Sequence, residues 1–194
     1  MRRPWISALF LSTLVFFFLI SFTASSSAQI PTKGNVFFGY SYDHTSVSSG
    51  DSGSLNGWDA SLEGKFAPWI GLVTDIDGHY GSRNYPVVCN GLGNCSGPFS
   101  ANVAEHNFLF GPRVSVQVQR FRPFAEFLIG ASHVSRSNEI SDSDTSLANA
   151  VGGGLDYRLV GPLAVRGQLD WVKTRLYGAT QNGVRFSTGV SLHF

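Results

Sequence analysis

Eight separate stretches of this chain alternate apolar and polar residues with a period of two, and no other feature constrains the fold as tightly. Successive side chains of an extended strand point to opposite faces, so each stretch reads as a β-strand with one apolar and one polar side. Residues 35–44 set Val36, Phe38, Tyr40 and Tyr42 against Phe37, Gly39, Ser41 and Asp43; residues 57–66 set Trp58, Ala60, Leu62 and Phe66 against Asp59, Ser61, Glu63 and Lys65. The third and fourth stretches, 69–80 and 106–118, oppose Ile70, Leu72, Ile76 and Tyr80 to Asp75, Asp77 and His79, and Phe108, Phe110, Val114 and Val116 to Arg113, Ser115 and Gln117. The fifth, 124–135, sets Ala125, Phe127 and Ile129 against Glu126 and Ser132, on a less purely polar face. The last three, 147–159, 163–173 and 183–194, oppose Val151, Leu155 and Tyr157 to Asp156 and Arg158; Val165, Leu169 and Trp171 to Arg166, Gln168 and Asp170; and Phe186, Val190, Leu192 and Phe194 to Arg185, Ser187 and His193.

Connection lengths order these strands. Short turns are predicted at Ala67-Pro68, around Arg120-Phe121-Arg122 and at Val160-Gly161-Pro162, and longer polar loops near 45–56, 81–105, 136–146 and 174–182. With eight strands, both termini and all three short turns then fall at one end. Pro112 conflicts with this scheme, because a closed barrel has no edge strand to tolerate a missing N–H. A bulge at Gly111-Pro112 is the expected remedy. Gly152-Gly153-Gly154 lies inside a strand and is read as allowing close packing or a bend.

The segment before the first strand has a different character. Arg2 and Arg3 precede an apolar run from Trp5 to Phe22, followed by Ala24-Ser25-Ser26-Ser27-Ala28, the pattern of a secretory signal peptide. Residues 1–28 are therefore expected to be removed, leaving 29–194 as one β-barrel domain; an uncleaved anchor helix is the alternative, since the run approaches the ~20 residues that span a bilayer. The remaining chain carries 12 basic and 13 acidic residues, so its charge makes no case for nucleic-acid binding. Export also bears on Cys89 and Cys95, the only cysteines. In an oxidising compartment a disulfide closing this short loop is expected. Two cysteines supply only half a tetrahedral metal site, and neither a metal nor a cofactor is expected.

Alternation alone leaves two barrels open: a soluble one with an apolar cavity, and a membrane one with an apolar outside and a polar lumen. The apolar face runs through all eight strands almost without charge, while the other carries both signs: Asp59, Glu63, Lys65, Asp75, Asp77, Arg113, Glu126, Asp156, Arg158, Arg166, Asp170 and Arg185. Aromatics gather near strand ends, with Phe38, Phe66, Trp69, Tyr157 and Phe194 toward one rim and Tyr42, Trp58, Tyr80, Phe108, Trp171 and Tyr177 toward the other, as interfacial girdles do. An all-β, eight-stranded antiparallel up-and-down transmembrane β-barrel is the expected fold.

With its terminal Phe194 preceded by alternating apolar residues, the chain resembles the outer-membrane β-barrel family typified by the transmembrane domain of OmpA. The resemblance covers essentially the whole segment after the leader, without a peptidoglycan-binding domain. It implies export to the outer membrane of a Gram-negative bacterium, contact with outer-membrane lipids and lipopolysaccharide, and recognition of Phe194 by the barrel assembly machinery. It also implies a narrow lumen plugged by paired charges, Arg113 with Glu126 and Arg158, Arg166 and Arg185 with Asp156 and Asp170. A monomer is expected.

Function is then read as structural or surface-interacting and non-enzymatic, with a small ion-conducting, porin-like pore as the alternative. A third reading, a lipid A-modifying hydrolase, rests on His133-Val134-Ser135, because some outer-membrane lipid A deacylases resemble it in carrying a lipid-facing His-x-Ser. Glu139 is a conceivable orienting acid. Here, however, Arg136 and Ser137 stand between Ser135 and Asn138, where that pattern has the Asn directly after the Ser.

Overall fold

The computed structural model describes residues 33–47, 52–85, 88–89, 95–96, 99–137, 142–178 and 180–194. The predicted leader at 1–28 lies outside them. Eight strands form a closed barrel: β1 (Gly34–Val47), β2 (Ser52–Ala67), β3 (Ile70–Tyr85), β4 (Phe99–Ser115), β5 (Phe121–Ser137), β6 (Asp142–Val160), β7 (Leu163–Thr174) and β8 (Gln181–His193). Each pairs antiparallel with its chain neighbours. β8 pairs with β1 to close the ring, Phe38 facing Val190 and Asp43 facing Arg185. Phe194 completes the seam by exchanging backbone hydrogen bonds with Gly34 at 2.9 and 3.0 Å. Closure leaves no unpaired edge, which a strand crossing hydrocarbon requires.

The side chains are inverted relative to a soluble protein. Phe38, Phe66, Leu72, Phe110, Leu155, Leu169, Trp171 and Phe186 stand exposed on the outer wall, and among described buried residues polar side chains outnumber apolar ones roughly two to one. Water outside such a wall would meet a continuous apolar belt far beyond what a soluble monomer exposes. Lipid would not be penalised by it. The inverted arrangement rules out the soluble barrel with an apolar cavity.

Strands run longer than hydrophobic alternation predicts. β3 continues to Tyr85 and β4 starts at Phe99, so about half of the expected 81–105 loop is barrel ladder; most of 45–56 and 136–146 is ladder too. The ladder is held by backbone bonds whatever the side chains, whereas alternation marks only the stretch with lipid on one side. Beyond the membrane both faces meet water and the signal fades. Within the same extension Cys89 faces Cys95 in a two-residue ladder. The loop predicted at 174–182 contains a 3₁₀ turn, Leu176–Gly178.

The expected bulge at Gly111-Pro112 is absent. Phe110 faces Ile129 and Arg113 faces Glu126 with one unchanged offset, while Gly111 and Pro112 have no partner on β5. Toward β3 both remain paired, with Val73 and Leu72. The missing N–H thus leaves a gap in one ladder instead of an extra residue. Register shifts occur instead between Lys65 and Ala67 and between Arg158 and Val160, both beside short turns. The middle turn is tighter than predicted: Val118 bridges Phe121, and Gln119 takes a left-handed φ of 53°. At the third turn Gly161 has φ 54°, a conformation that favours glycine.

Candidate functional site: the charge network in the lumen

Inward positions of adjacent strands stack the charges into two groups. Nearer the short turns, Arg166 grips Asp156 with two hydrogen bonds of 2.6 and 2.9 Å and donates to Asn35 Oδ1 at 2.8 Å. Its guanidinium lies between the rings of Phe37 and Phe124, 5.0 and 4.7 Å from their centroids. Arg113 donates from Nε to Glu126 at 2.7 Å and sets Nη2 2.6 Å from the same carboxylate, approaches Glu63 at 3.6 Å and lies 4.3 Å from the centroid of the Phe124 ring. Glycines make room for this packing: a Cβ on Gly154 would sit 2.6 Å from the Phe124 ring, and one on Gly152 would sit 2.1 Å from Asp170 Oδ1.

The second group surrounds one guanidinium with acid. Arg185 donates to Asp75 at 2.8 Å, to Asp170 at 2.9 and 3.2 Å, and to Asp77. Asp59 faces Asp77 across the β2–β3 ladder, and neither of its carboxylate oxygens receives a hydrogen bond. Gln168 joins the two groups by donating to both Glu126 and Asp170 at 2.8 Å. Breaking a single buried pair of this kind costs about 3–5 kcal/mol, because the surviving charge has neither partner nor water.

Nearly every charge singled out from the sequence lies here. Asp59, Glu63, Asp75, Asp77, Arg113, Glu126, Asp156, Arg166, Asp170 and Arg185 are buried. Lys65 lies at the lower margin, donating to Pro68 O at 3.0 Å and Ser115 Oγ at 2.7 Å. Arg158 does not join. It is exposed at the short-turn mouth, because the adjacent register shift brings its backbone to the barrel rim. The pairs Arg113–Glu126, Arg166–Asp156 and Arg185–Asp170 form, but no ion pair for Arg158 is found among the described residues.

Sequence reasoning missed a further constellation, Ser41, His79 and Asp77. His79 Nε2 is 2.9 Å from Ser41 Oγ, and its Nδ1 is 3.0 Å from Asp77 Oδ1. Those spacings match a nucleophile, base and orienting acid. The surroundings do not: Ser41 also bonds Ser187 at 3.0 Å, all three residues are buried, and the adjoining void is about 10 Å³. That volume holds about one water. A substrate carbonyl has no room beside the hydroxyl, so this is a closed polar cluster. His79 and Ser41 were visible only as inward positions, since nothing in either strand signals their cross-barrel meeting.

Apolar residues pack beside the charges. Leu55, Val103, Val134 and Leu176 cluster toward the long-loop end, and Val73, Leu109, Leu128, Ala148, Ala150 and Val172 line the β3–β7 side of the lumen. The His133 and Ser135 pair lies apart from all this, on the outer wall. His133 is exposed and its Nδ1 contacts Thr145 Oγ1 at 2.8 Å, not Ser135. Asn138 and Glu139 lie outside the described residues.

Solved structures share this architecture. Neisserial surface protein A matches with a TM-score of 0.65 at 11% identity, covering 83% of this chain and 97% of that one. Ail, the attachment invasion locus protein of Yersinia pestis, crystallised with the heparin analogue sucrose octasulfate, matches with a TM-score of 0.56 at 12% identity, covering 82% and 98%. The chain has the fold of an outer-membrane β-barrel. OprG of Pseudomonas aeruginosa adds a TM-score of 0.52 at 10% identity over 85% of this chain and 97% of its own. No family model and no curated protein sequence matches the chain. Outer-membrane barrels of this size differ mainly in loops and lumen, so the shared fold carries architecture and not activity.

Proposed function

We propose that this protein is a non-enzymatic scaffold of the bacterial outer membrane whose plugged barrel holds its loops at the surface for interaction with other molecules. The observation that carries this reading is the filled lumen, where Arg113, Arg166 and Arg185 reach across to strands two or three positions away and Leu55, Val103, Val134 and Leu176 pack together toward the long-loop end. Eight strands leave an interior just wide enough for side chains. A polar lumen inside an apolar wall supports residence in a bilayer, with the short-turn end facing the periplasm.

Several finer readings accompany it. The segment 1–28 is removed on export, Cys89 and Cys95 form a disulfide, the protein is a monomer, lipopolysaccharide contacts the wall, and the Phe194 seam is what the assembly machinery recognises. Cys89 and Cys95 directly opposite one another is favourable, since cross-strand Cα separations of about 4.5–5.5 Å suit a disulfide.

The decisive experiment is planar-bilayer conductance of refolded protein, combined with gel mobility before and after boiling. A folded barrel shifts on heating and leaves the bilayer electrically silent. Steady single-channel current from heat-modifiable protein would overturn the plugged reading in favour of a small pore. Protein without a mobility shift that stays soluble without detergent would overturn the membrane reading itself.

A further inference from the structure

The short-turn mouth is chemically unlike the paired lumen above it. A cavity of about 480 Å³ opens there, lined by Lys33, Lys65, Arg122, Arg158 and His193 and by no acidic side chain. Its volume falls within the ~300–1,000 Å³ of ordinary ligand sites. Lys33 and Arg158 are exposed, and neither has an ion pair among the described residues. The carboxylate nearest to Lys65 Nζ is Glu63, 3.9 Å away and already in the reach of Arg113.

Arg122 is held without being neutralised. Its guanidinium donates to His193 Nδ1 at 2.6 Å, while His193 Nε2 faces Asp156 Oδ2 at 3.1 Å. With Arg122 donating to Nδ1, it is Nε2 that faces Asp156. Asp156 is in turn occupied by Arg166. The mouth therefore gathers four cationic side chains, Lys33, Lys65, Arg122 and Arg158, below a lumen in which buried acids outnumber buried arginines.

Its wall is also apolar on one side. Phe66 and Phe194, 70% and 57% exposed, line the same cavity and belong to the outward rows of the barrel. The cavity thus straddles the lip between the cationic mouth and the lipid-facing wall. We propose that it binds the phosphate-bearing headgroup of an anionic glycerophospholipid from the adjoining leaflet, the acyl chains lying against Phe66 and Phe194. Guanidinium and ammonium groups are the usual phosphate partners. A free phosphate would satisfy the same cations but gain nothing from the two phenylalanines. This inference rests on the membrane reading above.

The test is native mass spectrometry of the purified full-length barrel released from micelles doped with equal amounts of phosphatidylglycerol and phosphatidylcholine. One phosphatidylglycerol should stay bound per barrel in preference to phosphatidylcholine. Lys33→Gln with Arg158→Gln, both at exposed positions, should weaken that retention about 25-fold at low salt, from about fivefold per lost charge. Equal retention of the two lipids, or a preference unchanged in the double variant, overturns the proposal. Displacement of the lipid by low millimolar inorganic phosphate, with phosphate adducts in its place, overturns the lipid as the source. Gel mobility of the same samples separates this failure from loss of the barrel. Should the double variant lose its heat-shifted form, the preference of the wild-type protein alone decides.

Discussion

Replacing Arg185 with Gln removes the one guanidinium that satisfies Asp75, Asp77 and Asp170 together. Glutamine cannot reach three carboxylates and has no charge to offer them. All four side chains are within 1% of full burial, so water cannot compensate without opening the wall. Removing one partner from a single buried pair costs about 3–5 kcal/mol, and three acids on one cation put the loss at the upper part of that range or above it. This is a large share of the ~5–15 kcal/mol that holds a domain folded. In urea titrations of micelle-embedded protein followed by heat-modifiable mobility, with a slope of about 2 kcal/mol/M, the midpoint should fall by about 2 M. Adding Asp75→Asn, Asp77→Asn and Asp170→Asn to Arg185→Gln should recover much of the loss, because the harm lies in the stranded charge. A loss under about 1 kcal/mol, or a quadruple variant worse than Arg185→Gln alone, would refute the reasoning.

Three further outcomes are expected. Gly34→Ala should abolish folding, since its Cβ would lie 2.0 Å from Glu63 O and 3.0 Å from the Phe194 ring, at the seam where β1 meets the chain end; the readout is absence of a heat-shifted gel band. Gln119→Gly should raise stability by about 1 kcal/mol, because the residue holds φ 53° in a turn, where a side chain is strained; urea midpoints check it. His133→Ala should leave the lipid A acylation profile unchanged by mass spectrometry and stability within about 0.5 kcal/mol, since an exposed contact with Thr145 is all it loses.

The parity of every strand was readable from the sequence, because lipid on one side and a polar lumen on the other impose opposite chemistries on alternate residues. Val36, Phe38 and Tyr40 stand outside and Ser41 and Asp43 inside as their positions imply. Strand ends were less readable. Residues 81–85 and 99–105 are laddered although outward positions such as Ser82 and Asn102 are polar, since hydrogen bonding continues beyond the hydrocarbon. Cross-strand pairs such as Arg113–Glu126 could be guessed from adjacent strands. Contacts across the lumen could not: Arg185 with Asp75, His79 with Ser41 and Arg166 with Asn35 depend on barrel stagger, which fixes the height at which each side chain enters. Arg158 shows the reverse error. Its parity is inward, but a register shift two residues from the turn places it at the mouth, and periodicity holds no information about such a shift.

The charges in the lumen are costly to bury, and packed apolar residues of equal volume would give comparable stability. Their advantage lies in register. A strand slipped by one residue sends its whole inward row outward. With an apolar interior such a slip would exchange Leu for Phe and meet little penalty. Here it would move Arg113, Arg166 or Arg185 into hydrocarbon and draw Phe110, Val165 or Phe186 into the charge network. Ionised side chains at the bilayer centre cost about 2–4 kcal/mol each, so wrong registers are rejected strand by strand. On this reasoning, replacing Arg113 and Glu126 by Met and Leu together with Glu63→Gln, so that no buried acid is stranded, should leave the urea midpoint of correctly folded protein nearly unchanged. The same change should lower the yield of the single heat-modifiable band and raise that of slower or protease-sensitive forms. A folding yield equal to that of the native pair would show that register is set elsewhere, by the tight turns at Gln119 and Gly161.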